Sequence, residues 1–362
     1  MTDADWMREA LGLAEGGRYG AAPNPLVGCL LVRRGVRVGT GFHRRAGEPH
    51  AEANALAEAG SRANGATAYV TLEPCAHHGR TPPCADALIA AGLRRVVVAM
   101  EDPNPRVAGR GIERLRNAGI VVECGLEAAS AAALNPGFIK RMRTGRPYVR
   151  VKMAQSLDGR SALADGESRW ITGPAARADV QRWRGRSQAI VTGIGTALAD
   201  DPSLTVRLPE ATEQPMRVVL DRQLGLSPTA RLLAEPGETL VVTHSEDRAR
   251  TDALIASGAQ VLCLRPTPDG VDLGAVLDEL GRRECNEALV EAGPRLAGAF
   301  IVTGLVDEII VYIAPHLLGN GARPVFELPG VNRMDERFEL ELLDVQAFGP
   351  DLRLRLRPLA GR

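Results

Sequence analysis

The chain has 362 residues, of which 45% are hydrophobic and only 4% aromatic, and its 44 basic and 44 acidic side chains cancel. That length exceeds one ordinary core and predicts two domains built on Ala, Val, Leu and Ile, while the neutral balance argues against a nucleic-acid partner, which leaves a basic face or stripe. With no apolar run of about 18 residues and an acidic opening M-T-D-A-D-W-M-R-E-A, no membrane span and no signal peptide are expected, and the predicted location is cytoplasmic.

Residues 3–16 place Trp6, Ala10 and Leu13 on one helical face. Apolar runs at 26–32 and 36–41 flank Arg33-Arg34-Gly35, a hairpin signal. A helix over 51–59 closed by Gly60, a strand at 68–72 and a helix over 84–91 closed by Gly92 follow. Next come a strand at 95–100, a helix at 109–118, a strand at 120–124 and a weaker helix at 126–134. This order predicts a mixed sheet with helices on its faces. Cys29, Cys124, Cys263 and Cys285 stand singly and read as reduced core thiols, since six cysteines are too few for a disulfide framework at this length.

The other two cysteines carry chemistry. His50 and Glu52 form H-A-E where the 51–59 helix begins; after a gap of 21 residues comes Pro74-Cys75, and after eight more residues Cys84 opens the next helix. One imidazole and two thiolates suit Zn2+, which in a catalytic site keeps three protein ligands and an open fourth position. A helix start favours the thiolate that a metal needs. A carboxylate two positions from the imidazole is the general acid/base of zinc-dependent base deaminases, whose signature is H-x-E…P-C-x-x-C. The second spacing here is longer, so the match is to the chemistry and not to the shortest motif. His50, Cys75 and Cys84 are thus candidate metal ligands, and Glu52 the candidate catalytic group. His77 and His78, in the insert before Cys84, are rival ligands or part of an exposed loop at a substrate entrance. The alternatives are a structural zinc site, although a fourth protein ligand is not evident, or two ordinary buried cysteines with a solvated His and Glu.

Residues 135–147 (N-P-G-F-I-K-R-M-R-T-G-R-P), rich in Gly, Pro and cations, read as a linker between domains 1–145 and 146–362. A second alternation of elements begins at 148–154. Strands are predicted near 187–192, 216–221, 239–243, 260–264, 287–291 and 307–313, and helices at 174–184, 247–257, 272–281 and 294–302. Two period-2 runs at 338–345 and 351–357 predict an antiparallel pair with one wet face. Glycine-bearing turns at 191–198 and 290–298 present backbone N–H groups near helix starts, suited to phosphate, or are plain structural turns. Neither satisfies G-x-G-x-x-G, so a Rossmann dinucleotide domain is unsupported. Lys140 and Lys152 are the only lysines in an arginine-dominated chain.

Taken together, these motifs resemble the bacterial bifunctional riboflavin-biosynthesis deaminase/reductases over essentially the full length. The runs P-N-P-L-V-G (23–28), G-F-H-R-R-A-G-E-P-H-A-E (41–52) and T-L-E-P-C-A-H-H-G-R-T-P-P-C (71–84) resemble the deaminase half, including its eight-residue cysteine spacing. The runs V-K-M-A-Q-S-L-D-G-R (151–160), S-R-W-I-T-G (168–173), G-I-G-T-A-L-A-D-D-P-S-L-T-V-R (193–207) and V-E-A-G-P (290–294) resemble the reductase half. The resemblance implies an α/β chain with a cytidine-deaminase-like domain followed by a dihydrofolate-reductase-like domain. It implies Zn2+ and NADPH as cofactors and a small phosphorylated pyrimidine as substrate, deaminated first and then reduced at its ribosyl group. By motif position, Ala154, Trp170, Thr196, Asp200 and Gly293 would hold the cofactor. Ser168, Arg184, Leu204, Arg207 and Glu291 would hold the substrate, with the arginines suited to its phosphate. Lys152 is either a proton donor or a plain strand cation; Arg222 either meets the cofactor's 2′-phosphate or faces solvent.

A homo-oligomer is the expected assembly. Two other readings share some of these features. A nucleic-acid base deaminase would use the same zinc chemistry, but neutral charge and the second α/β domain speak against it. A structural zinc module joined to a regulatory ligand-binding domain would have no use for Glu52.

Overall fold

The computed structural model describes all residues except 77–82, 106, 212, 268–269 and 360–362, so His77 and His78 lie outside the described residues. The chain divides into two compact units, Met1–Arg146 and Pro147–Arg362. No helix among the described residues is long and apolar enough to cross a membrane.

The first unit runs α1 (Asp3–Ala14), β1 (Gly28–Arg33), β2 (Val36–Phe42), α2 (Ala51–Ala59), β3 (Thr67–Val70), α3 (Cys84–Ala90), β4 (Arg95–Val98), α4 (Arg110–Asn117), β5 (Val121–Cys124), α5 (Ala128–Leu134) and α6 (Pro136–Thr144). Its sheet has the order β2-β1-β3-β4-β5, antiparallel across β2, β1 and β3 and parallel from β3 to β5. Successive side chains of a strand face opposite ways. Leu30, Val32, Tyr69 and Val97 pack on Met7, Ala10 and Leu11 of α1. Cys29, Leu31, Val70, Val96 and Val98 pack on Ala51 and Ala55 of α2 and Leu88 of α3. The buried face of α1 is Met7, Ala10, Leu11 and Ala14, one position round from the expected stripe. A side chain at Gly41 would put its Cβ 2.2 Å from the Ala51 carbonyl, so this glycine lets α2 lie directly on β2.

Two expectations fail here. The 135–147 segment is not a linker but carries helix α6, which belongs to the first unit. Pro136 sits in its first turn, Arg141 and Arg143 in its last, and Gly145 closes it with a left-handed backbone, so the Gly, Pro and cation signals mark helix ends. Phe138 is buried, and the Asn135 amide bonds both the N–H and the carbonyl of Leu26, at 2.7 and 2.9 Å. Cys124 and Cys263 are exposed rather than core thiols, unlike buried Cys29 and Cys285. Each ends an edge strand of its sheet, where half the surroundings are solvent.

The second unit runs β6 (Tyr148–Ser156), β7 (Arg160–Ala162), α7 (Pro174–Arg186), β8 (Ala189–Gly193), α8 (Ile194–Asp200), β9 (Met216–Leu220), α9 (Arg231–Ala234) and β10 (Thr239–Thr243). It continues with α10 (Arg248–Ala256), β11 (Gln260–Cys263), α11 (Leu273–Arg282), β12 (Glu287–Val290), α12 (Pro294–Val302), β13 (Glu308–Ala314), β14 (Arg323–Pro324), β15 (Leu340–Phe348) and β16 (Asp351–Pro358). The main sheet has the order β11-β10-β9-β8-β12-β6-β13-β16-β15, parallel as far as β13 and antiparallel beyond it. Parallel strands covered on both faces read as continuous apolar runs, as A-I-V and A-L-V do at 189–191 and 288–290. Val149, Val151 and Met153 face one core with Phe300 of α12 and Leu280 of α11; Leu289, Ile310 and Tyr312 face the other with Val180 and Trp183 of α7. The small β7–β14 pair and the short helices α8 and α9 carry too few residues for a periodic signal.

Candidate active sites

Three chain segments converge in the first unit. His50 is the N-cap residue of α2 and its side chain makes no capping bond, leaving the imidazole free to turn to the thiols. Cys84 is the first residue of α3, and Cys75 lies in the loop after β3. His50 Nδ1 is 3.2 Å from Cys84 Sγ and 3.6 Å from Cys75 Sγ, and all three donor atoms lie within 4.8 Å of one another. The Cys84 N–H donates to Cys75 Sγ at 3.3 Å. Glu52, in the first turn of α2, is only 3% exposed.

The electrostatics fit a cation. The hydrogen bond from the Cys84 thiol pulls the Cys75 thiol below its ordinary range, and the same thiol–thiol bond, with burial, pushes Cys84 well above it. The two sulfurs thus compete over one proton, and a divalent ion between them would release both as thiolates. The hydrogen bond with Cys75 also raises the His50 imidazole. Burial pushes the Glu52 carboxyl up to about 7, with the nearby Cys75 charge adding to the effect, so it titrates where a group that must take and give a proton works best. The donor set of one nitrogen and two sulfurs, closed on one side by a buried acid, matches a three-ligand zinc site.

Two residues present in the motifs, His43 and Asn24, acquired no role from sequence. The buried His43 ring meets His50 edge-on, with centroids 5.3 Å apart. Its Nε2 faces the Asn24 amide nitrogen at 3.0 Å and its Nδ1 the Pro49 carbonyl at 3.3 Å. An amide nitrogen only donates, so Nε2 accepts and Nδ1 carries the proton. Burial holds this imidazole below its ordinary pKa. A buried histidine beside the ligand histidine leaves no periodic trace in sequence.

In the second unit the two glycine turns come together. β8 and β12 are parallel neighbours, and the Gly293 N–H donates to Thr196 Oγ1 at 3.2 Å. Glu291, just past β12, receives Arg184 through Nε at 2.6 Å and Nη2 at 3.0 Å, and Lys152 Nζ stands 3.8 Å away. Burial would raise Glu291, but Arg184 and Lys152 outweigh it and hold the carboxyl at about 2, with Arg207 contributing. Burial lowers Lys152 despite its acidic neighbour. Arg184 also donates to the Thr205 carbonyl at 3.1 Å. Three of its N–H groups thus go to Glu291 and Thr205, and Arg207 nearby in sequence is exposed. Leu204 is buried with a left-handed φ of 49°, and Ala154 lies on β6 two residues beyond Lys152, against the α7 core.

The 168–170 segment forms a further group. Trp170 is 68% exposed with Arg177 stacked 4.5 Å from its ring centre, and Arg169 pairs with Asp200 at 3.8 Å. Half-buried Ser168 precedes them. Arg222 is exposed just past β9, two strands from β12 in the sheet order, and among the described residues no hydrogen bond or ion pair joins its side chain to these groups.

A mixed sheet carrying a His-Cys-Cys cluster with a buried acid, joined to a largely parallel sheet with paired glycine turns, defines a zinc deaminase fused to a reductase. Comparison with known proteins gives the same division. Residues 1–100 match the cytidine and deoxycytidylate deaminase zinc-binding region, and residues 147–354 match the RibD C-terminal domain. The chain is 50% identical to the riboflavin biosynthesis protein RibD of Escherichia coli, covering 98% of this chain and 99% of that one. It is 47% identical to RibD of Haemophilus influenzae, with 98% and 97% covered. The fold superposes on Acinetobacter baumannii RibD with a TM-score of 0.92 at 48% identity, and on a Thermotoga maritima diaminohydroxyphosphoribosylaminopyrimidine deaminase/5-amino-6-(5-phosphoribosylamino)uracil reductase with 0.89 at 32%, covering 99% of each chain. The chain belongs to the RibD family, the bifunctional deaminase/reductases of riboflavin biosynthesis. Its cofactors are accordingly Zn2+ and NADPH.

Proposed function

We propose that residues 1–145 hydrolyse the 2-amino group of 2,5-diamino-6-ribosylamino-4(3H)-pyrimidinone 5′-phosphate, and that residues 146–362 then reduce the ribosyl group of the product to ribityl. The observation that carries this reading is the convergence of His50, Cys75 and Cys84 beside buried Glu52. These three residues would hold Zn2+, which supplies a Lewis acid able to bring the pKa of water to about 7. Glu52 takes a proton from the attacking water and delivers it to the leaving nitrogen, which departs as ammonia. Cys84→Ser is expected to abolish zinc binding and ammonia release while reduction of the deaminated substrate continues, because each unit has its own sheet and core. Metal analysis and both assays on one preparation check this; loss of both activities in a folded variant would contradict separate domains.

In the reductase unit, Ala154, Trp170, Thr196, Asp200 and Gly293 would hold NADPH, which supplies the hydride. Ser168, Arg184, Leu204, Arg207 and Glu291 would hold the substrate, with Arg184 also keeping Glu291 in place. In the net reaction the bond between C1′ and the ring oxygen breaks, C1′ gains a hydride, and the freed oxygen takes a proton to become a hydroxyl. Half-buried Lys152, with its pKa lowered, is the candidate donor of that proton. Arg207→Ala is expected to raise the substrate KM far more than the cofactor KM, since a charged hydrogen bond is worth roughly 1.5–3 kcal/mol, or about 10- to 150-fold. An effect confined to the cofactor KM would move Arg207 to the other ligand.

The reading includes a cytoplasmic homo-oligomer without a nucleic-acid partner. Edge strand β15 supports an assembly, because it leaves Leu340, Leu342 and Val345 exposed. Sedimentation of the full chain at several concentrations tests it.

A further inference from the structure

We infer that Glu73 is a positioning residue that sets the spacing of the metal-binding thiols, acting through helix α4. This rests on the zinc-deaminase reading of the His50–Cys75–Cys84 site. Glu73 stands two residues before Cys75 and is only 4% exposed. Among the described residues its carboxylate pairs with no cation; it accepts four backbone N–H groups instead. Oε2 takes those of Asp102 at 3.1 Å and Gly109 at 2.9 Å, and Oε1 those of Gly111 at 2.8 Å and Ile112 at 3.2 Å. Gly109, Gly111 and Ile112 are the N-cap and early residues of α4, whose own N-cap is a glycine without a side chain to offer. Glu73 therefore caps α4 from a different segment, and its charge suits the positive end of that helix.

The contact is close as well as charged. The Pro74 carbonyl lies where a Cβ on Gly111 would be, 1.9 Å away, so only glycine lets α4 press against the residue just before Cys75. The Glu73 N–H is itself pinned to the Met100 carbonyl at 3.0 Å. One turn further along α4, Arg114 pairs with Asp86 of α3 at 2.5 Å and donates to the Ala76 carbonyl at 3.4 Å. α4 thus grips the chain on both sides of Cys75, at Glu73-Pro74 and at Ala76, and grips α3 two residues beyond Cys84. A backbone shift of Cys75 or Cys84 toward or away from His50 would disturb these contacts.

A glutamine at position 73 would keep one acceptor oxygen and turn an NH2 toward two backbone N–H groups, which would then have no acceptor. The segment would have to move, and Cys75 with it. The test uses full-length protein. Zinc affinity is measured by competition with a chelator, the Co2+-loaded protein's thiolate-to-metal absorption reports the ligand geometry, and reductase turnover serves as an internal control. Glu73→Gln is expected to weaken zinc binding by about 10- to 100-fold, the range for partners that orient ligands, and to alter the Co2+ spectrum while reduction is unchanged. A core variant on the α1 face, Leu30→Val, gives a destabilised comparison whose thiol site is untouched. Zinc affinity of Glu73→Gln within about twofold of the parent would overturn the inference, as would an equal loss in Leu30→Val at matched thermal stability. Should Glu73→Gln not fold, Arg114→Ala tests the same clamp: weaker zinc binding with an altered Co2+ spectrum supports it, and unchanged binding overturns it. A parent protein that binds no zinc would instead sink the deaminase reading beneath it.

Discussion

Glu52→Gln is expected to cut ammonia release by about 10²- to 10⁴-fold while zinc content stays at the parental level, because the amide has nearly the same shape but cannot move a proton. The three donor atoms come from other side chains, so the site keeps its ligands. A second consequence appears in the metal-free protein. Burial raises the Glu52 carboxyl from 4.5 to about 7, so its contribution to stability is full below about pH 4.5 and is lost as pH rises through about 7. Glutamine does not titrate, and thermal unfolding of the metal-free variant should lose that part of its pH dependence. Metal analysis beside an ammonia assay decides the catalytic role: near-parental turnover with zinc retained would remove Glu52 from it.

Glu287→Gln is expected to destabilise the reductase unit by about 3–5 kcal/mol, the cost of breaking a buried ion pair from one side. Arg150, almost wholly buried beneath α7, bonds Glu287 at 2.5 Å and Glu308 at 3.0 Å. Arg186 forks onto Glu287 at 2.6 and 2.9 Å, and Arg355 reaches Glu308 at 2.6 Å. Two carboxylates thus face three guanidiniums, and removing one charge leaves Arg150 and Arg186 undercompensated. Burial would raise Glu287, but Arg150 and Arg186 overcome it and hold the carboxyl at about 2, against 4.5 for an ordinary glutamate. At about 1.4 kcal/mol per pH unit that difference is about 3.5 kcal/mol, in line with the cost of breaking the pair. The sign follows from the lowered value: this stability is present above about pH 4.5 and is lost as pH falls through about 2. Urea unfolding of the parent and variant at pH 7 and pH 3 measures both effects, and the gap between them should narrow at the lower pH. A constant gap would mean that Glu287 acts by packing alone.

The zinc cluster was legible in sequence because its information is local. His50 and Cys84 stand at helix starts that their own flanking residues declare, and Cys75 follows a short apolar strand, so spacing alone brought three donors to sheet and helix ends. The long strands and helices of the second unit were legible for the same reason, through periodicity. Helix α6 was not, because proline and glycine mark a linker and the two ends of a helix alike. The pairing of Arg184 with Glu291 joins residues 107 positions apart, and nothing local to either predicts it. Glu73 was invisible for a different reason: its partners are backbone N–H groups, which every residue but proline carries. Cys124 and Cys263 misled because strand order, which places them at sheet edges, is not written in either strand.

Supplying the zinc-loaded protein with 2,5-diamino-6-ribosylamino-4(3H)-pyrimidinone 5′-phosphate and NADPH, and following ammonia and NADPH together, tests both halves in one measurement. One ammonia should appear for each substrate consumed, with NADPH oxidised after a lag that disappears when the deaminated compound is supplied instead. A folded, zinc-loaded protein that releases no ammonia, or that leaves NADPH untouched with the deaminated compound present, would contradict the assignment.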